Sequence, residues 1–194
     1  MIDVRRLIVI VCIASMVAGM TAVVGCGDDT GTAKKYLTTA ESYMPTESEV
    51  AEFGDKSNVL HDDIVKGRIT NGEQLESRLA AEKQSIEAYE EKLKNVKTEY
   101  EKILDMKDVD DFKKIAKVRI DYVDTYIEVL DKRFEYERKL GEALLSAGGQ
   151  AEQINDQTIS ELNKDLEETN KLVERKKKLS EELAELMKEK GFEH

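Results

Sequence analysis

Between Leu75 and Ile103 the chain places Leu75, Leu79, Glu82, Ile86, Tyr89, Leu93, Val96, Tyr100 and Ile103 at alternating steps of four and three residues. Eight of these nine positions are apolar or aromatic. Such a spacing keeps one stripe of a helix turned toward a neighbour over about four heptads, and a strand or loop has no use for it. Glu82 is the one charged residue in the stripe. A carboxylate buried there needs a partner, and Arg119 is the candidate from the next helical segment.

Three further segments carry helical periodicity. Only one proline, Pro45, interrupts the chain, and 37% of its residues are charged, a composition of long helices or coiled coil. Turn and capping residues at 67–72, 105–108 and 146–149 divide it into predicted helices over 33–66, 71–104, 109–146 and 151–190. Thr70 followed by Glu73 has the capping-box pattern. The third segment shows a seam of Ala116, Ile120, Val123, Ile127, Leu130 and Phe134, with Tyr122 and Tyr126 beside it. This wider stripe predicts contact with more than one neighbour. In the fourth the seam slips at Leu172–Val173, and Lys176 is expected at its edge with the ammonium in water. In the first, Pro45 removes a helix hydrogen bond and predicts a kink or a restart. Helices of such length, at 1.5 Å per residue, are roughly 50–60 Å long, and short connections force antiparallel neighbours. The expected fold is all-α: an elongated, coiled-coil-like, up-down-up-down four-helix bundle. A bent hairpin pairing with a second copy is the alternative.

The N-terminus is of another kind. Arg5 and Arg6 precede an almost unbroken apolar run from Leu7 to Val24, and the run closes on Val23-Val24-Gly25-Cys26. This resembles a bacterial lipoprotein signal peptide with its lipobox. The resemblance implies that residues 1–25 are removed and that Cys26 becomes a diacylglyceryl-modified N-terminus. Two acyl chains hold a protein stably on a membrane, where one holds it marginally. The run is also close to the roughly 20 residues of a spanning helix, so an uncleaved anchor is the competing interpretation. In both, the two arginines keep the N-terminus cytoplasmic and the rest lies outside. Residues 26–32 read as a flexible tether, and residues 33–194 as the bundle.

Loss of residues 1–25 removes Asp3, Arg5 and Arg6 from 41 acidic and 30 basic residues, leaving 40 and 28 and a net charge of −12. That charge repels nucleic acid and anionic lipid. Cys12 goes with the leader, so the mature chain has no second cysteine for a disulfide. One internal histidine, His61, makes no zinc or haem site alone, and it is expected to be exposed. Asp105, Asp108, Asp110 and Asp111 lack the spacing of a calcium loop and fit a helix start instead. Arg175–Lys178 reads as a solvated face. No cofactor is expected, and no nucleophile–base pattern suggests an enzyme. Two functions remain. One is an extracytoplasmic, membrane-anchored structural or protein-interaction module, with an envelope protein or a second copy as partner. The other is a small-ligand-binding bundle whose interior is lined by Glu82, Tyr89, Tyr100 and Arg119.

Overall fold

The computed structural model describes residues 28–190. They form α1 (Asp28–Tyr43), α2 (Glu47–Val65), α3 (Gly72–Leu104), α4 (Asp110–Ser146), a 3-10 turn (Ala151–Gln153) and α5 (Asp156–Glu189). No strand occurs among the described residues, and the fold is an all-α helical bundle. The signal segment 1–25 and Cys26 lie outside the described residues. The tether expected over 26–32 is already helix from Asp28 onward.

The predicted helix 33–66 is two helices. Pro45 offers no N–H and crowds the residue before it, so α1 stops at Tyr43 and α2 restarts at Glu47. Pro45 itself is fully buried. After α2, Gly67 takes φ 65° and closes the helix end, with the Arg68 N–H donating to the Asp63 carbonyl at 2.9 Å. The next cap differs from the expected Thr70–Glu73 box. Asn71 Oδ1 accepts the Gln74 N–H at 2.9 Å, and Gln74 Oε1 accepts the Thr70 N–H at 3.0 Å. The helix starts at Gly72, so its third residue is Gln74 and the capping pair moves one residue along.

Asp108 is not part of the next helix start. It sits at φ 55° in the turn, a conformation aspartate tolerates, while Asp110 and Asp111 occupy the first turn of α4. At the third break Gly148 and Gly149 take φ 61° and 81°, and the Gly149 N–H reaches the Leu144 carbonyl at 2.8 Å. The 3-10 turn follows, so the last helix begins at Asp156 rather than 151. Asn155 Oδ1 caps it through the Thr158 N–H at 2.9 Å.

The chain forms two compact units. The first comprises residues 47–88 and 128–173, and the second comprises 28–46, 89–127 and 174–190 among those described. In the first unit Ser57 meets Glu82 and Asp63 meets Arg78, so α2 and α3 are antiparallel. Lys132–Glu168 and Lys139–Asp165 make α4 and α5 antiparallel. Asn58–Arg133 and His61–Glu137 make α2 and α4 parallel. Its core gathers Leu60, Ile64, Leu75, Leu79, Leu140 and Leu162. In the second unit Tyr36–Lys102 and Glu41–Tyr100 run α1 against α3. Tyr89–Tyr126 and Tyr100–Arg119 run α3 against α4, and Tyr126–Lys176 with Asp111–Lys190 run α4 against α5. Its core includes Leu37, Leu93, Val96, Ile103, Ile115 and Val123. Each large aliphatic side chain so buried contributes about 1.5–3 kcal/mol.

All nine positions of the α3 seam are buried, Glu82 included. On α4 Ala116, Val123 and Leu130 of the expected seam are buried and Ile120, Ile127 and Phe134 half-buried, and the stripe widens over the flanking Tyr122, Tyr126 and Val129 and takes in Arg119. On α5 no slip occurs. Leu162, Thr169, Lys176 and Leu183 are buried at a constant step of seven, so two polar residues hold central positions in an unbroken repeat. Lys176 is therefore not at a wet edge.

The cap assignment is testable by urea unfolding followed by circular dichroism. Asn71→Ala is expected to cost about 1 kcal/mol, as loss of an N-cap does. Thr70→Ala is expected to cost clearly less. The reverse order would return the cap to Thr70.

Candidate functional site

Four helices of the second unit each place a polar side chain in one buried network. Glu41 comes from α1, Tyr89 and Tyr100 from α3, Arg119, Tyr122 and Tyr126 from α4, and Lys176 from α5. Arg119 donates to Glu41 Oε1 through Nη2 at 2.5 Å and Nε at 3.1 Å, and Tyr100 Oη donates to the same oxygen at 2.5 Å. The Arg119 guanidinium lies 5.8 Å from the Tyr122 ring centroid. Tyr122 meets Tyr126 edge-on at 6.0 Å, and Tyr126 meets Tyr89 edge-on at 5.6 Å with their hydroxyls 3.0 Å apart. Lys176 Nζ stands 4.1 Å from the Tyr126 ring centroid. These are the geometries in which ring edges and cations meet the negative faces of rings.

Electrostatics follow from burial. Burial pushes the Tyr100 phenol well above its usual range, with Arg119 working the other way, and burial raises Tyr122 too. Both therefore stay protonated as donors at neutral pH. Burial alone would lower the Arg119 guanidinium, but the Glu41 carboxylate outweighs it and the net shift is upward. Lys176 has no carboxylate partner among the described residues, and burial brings its ammonium down to about 8.

The first unit has a separate polar set. Ser57 Oγ donates to Glu82 Oε1 at 2.6 Å, and burial raises the Glu82 carboxyl despite that bond. His61 Nδ1 lies 2.9 and 3.0 Å from the two oxygens of Glu137, whose side chain is 3% exposed. The expectation of an exposed His61 is thus corrected: its side chain is 17% exposed and paired with Glu137, a buried carboxylate that needs a partner. Asp63 holds Arg68 at 2.5 Å and Arg78 at 3.3 Å. Burial, reinforced by Glu137, takes Tyr136 up to about 12.

Of the four predicted site residues, Tyr89, Tyr100 and Arg119 fall in the second unit's network and Glu82 falls in the first unit. The expected Glu82–Arg119 pairing does not form, since Ser57 serves Glu82 and Glu41 serves Arg119. Glu41, Glu137 and Ser57 were missed. Glu137 and Gly141 could have been found, because continuing the α4 seam past Leu130 and Phe134 lands on both, and both are buried. Of the aspartates at the α3–α4 turn, Asp111 is taken by Lys190 at 3.1 Å and lies 3.7 Å from Lys114. Among the described residues no three His, Cys, Asp or Glu side chains converge as a metal-binding group.

Three depressions in the first unit have volumes of about 220, 500 and 590 Å³. None of the three is lined by Glu82, Tyr89, Tyr100 or Arg119. No protein-family model, curated protein or solved structure matches the chain.

Two substitutions read the cost of the buried charges. Because the folded-state pKa of Lys176 lies below its ordinary 10.5, the charged form opposes folding below about pH 8 and the penalty fades as pH rises toward 10.5. Lys176→Met is expected to stabilise the protein at pH 7, by a few kcal/mol at most at about 1.4 kcal/mol per pKa unit. The gain should shrink in melts at pH 10, and a gain independent of pH would contradict this account. The raised Glu82 carboxyl has the same consequence with the opposite pH sense: stability is lost as pH rises through its folded-state pKa. Glu82→Gln, which still accepts from Ser57, is expected to raise the melting temperature at pH 7 and to change it little at pH 4.

Proposed function

We propose that this protein is a lipid-anchored, extracytoplasmic module that works by binding other proteins rather than by catalysis. The observation that carries the proposal is the N-terminal pattern: Arg5 and Arg6, the apolar run Leu7–Val24, and Val23-Val24-Gly25-Cys26. Such a pattern is read by the export machinery and supplies a thiol for lipid attachment. Among the described residues no helix is long and apolar enough to cross a membrane, so attachment in this proposal falls to the N-terminal segment. Since α1 begins at Asp28, the acylated residue would sit two positions from folded structure. The lipid would then hold the start of α1 close to the bilayer, without a long leash.

A protein-binding role is supported by how the interior is used. The phenols and guanidinium that would recognise a small ligand are bonded to one another: Tyr89 to Tyr126, and Tyr100 and Arg119 to Glu41. Groups already paired gain little by exchanging partners, which weighs against the tyrosine-lined ligand site. The outside of the bundle remains as the working surface.

Metabolic labelling with palmitate, followed by cell fractionation, tests the anchor. The wild-type chain is expected to take up label and remain with membranes in high salt. Cys26→Ser is expected to lose the label and leave the membrane fraction, or to stay as an uncleaved form, with helicity unchanged by circular dichroism. Undiminished labelling of the serine variant would remove the proposal's foundation.

A further inference from the structure

The charge of the chain is divided unequally between its units. The first unit carries 21 acidic and 11 basic residues, a net −10, while the described residues of the second carry 18 and 17, a net −1. The smallest of the three depressions, about 220 Å³, lies in the acidic unit. Its apolar wall is Ile64, Ile69, Leu144 and Leu145, and Gly148 and Gly149 bring bare backbone to its edge. That volume is below the roughly 300–1,000 Å³ of sites for drug-sized ligands and suits a single side chain.

The pocket is built where two helices end. Ile64 lies in the last turn of α2, and Leu144 and Leu145 in the last turn of α4; the two helices run parallel, so both C-termini meet at the pocket. Each helix C-terminus presents the equivalent of roughly half a negative charge, which favours a nearby cation. Neither last turn carries a basic residue. Lys66 and Arg68 follow α2 and are held in ion pairs by Asp62 and Asp63, while the Asp63, Ile64, Leu144 and Leu145 carbonyls accept backbone N–H groups from the turns that follow. The net −10 of the unit sets the sign of the field around the pocket. Fields of this kind steer an oppositely charged partner and repel a like one.

We propose that this pocket receives one apolar side chain of a partner protein, from a segment in which lysines or arginines flank that side chain. The inference rests on the protein-binding role proposed above and names the partner's chemistry: the apolar residue fills the pocket, and the flanking cations lie against the α2 and α4 ends. Gly141 shows how tightly the floor is made, since a Cβ there would come within 2.6 Å of Leu75 Cδ1.

The test uses the full acylated chain in detergent micelles and a displayed library of short random peptides. Selected peptides are expected to carry a leucine, isoleucine, methionine or phenylalanine between basic residues. A synthetic copy should bind more weakly as salt is raised. It should lose about tenfold or more in affinity, equivalent to about 1.4 kcal/mol, against Thr70→Trp, which puts an indole at the pocket's exposed edge. Leu144→Lys, which places a cation at the α4 end, should weaken it likewise, and both variants are checked for folding by thermal melts. Selection of acidic peptides, selection of none, or unchanged affinity for both folded variants would overturn the proposal. A photo-crosslinking residue placed at Thr70, or at exposed Lys117 in the second unit, separates this failure from failure of the wider role. Crosslinks in cells from Thr70 to a basic segment with an apolar centre support the pocket. Crosslinks from Lys117 alone remove the pocket and leave the protein-binding role, and crosslinks from neither remove both.

Discussion

Helices α2 to α5 each bury a charged side chain within their apolar stripe, and the rest of the packing is organised by what each charge requires. Asp63 lies on α2, Glu82 on α3, Arg119 and Glu137 on α4, and Lys176 on α5, all less than a tenth exposed. Removing an ion from water costs several kcal/mol even after relaxation, so a buried charge survives only with partners. No buried side-chain nitrogen or oxygen among the described residues lacks a hydrogen-bond partner. Apolar seams alone would let parallel neighbours slide by a heptad at small cost. A charge that finds its partner in one register only removes that freedom.

The two units meet this requirement differently. In the second unit Glu41 accepts from both Arg119 and Tyr100, so one carboxylate ties α1 to α3 and α4 together. Such shared acceptors are cooperative: losing any member strands the others. Lys176 is the exception, stabilised by the Tyr126 ring and not by an anion, and its lowered pKa records the incomplete compensation. In the first unit three separate pairs each join α2 to one neighbour, Ser57 to Glu82, His61 to Glu137 and Asn58 to Arg133, while Asp63 is shared between Arg68 and Arg78. The buried residues of α2 include Gly54, Ser57 and Asp63 beside Val50, Leu60 and Ile64, so half of its inner face is not aliphatic. Pairs that break independently give a helix less cooperative attachment than a shared network gives α1.

How much of this was legible depended on whether a residue's burial followed from its own helix. The α3 seam was complete in the sequence because periodicity alone determines which face turns inward. Breaks at Pro45, Gly67 and Gly148–Gly149 were legible for a similar reason: the backbone chemistry of proline and glycine is local. Lys176 was misjudged because a polar residue at a core position looks like an error in the seam. A supposed slip at Leu172–Val173 restored an apolar pattern that the fold does not need. Glu82 was correctly seen as a buried acid, but its partner lay on α2, where Ser57 has no signal of its own. Arg119 likewise pairs with Glu41, 78 residues away. Partners of buried charges are set by which helices meet and at what height, and no single helix encodes that.

The unequal charge of the units bears on how a lipid anchor could serve such a protein. Self-repulsion among like charges opposes compactness, so a net −10 in one unit is a cost that near-neutral composition would avoid, as the second unit does. Within a Debye length of an anionic bilayer, roughly 8 Å at physiological salt, that charge would also be repelled. The chain places α1, and with it a nearly neutral unit, directly after Cys26. An acylated Cys26 would therefore bring to the surface the unit that anionic headgroups repel least. The acidic unit is the one that carries the pocket at the α2 and α4 ends. A field of that sign disfavours anionic lipid and favours cations, which is what the proposed binding of a basic segment would require.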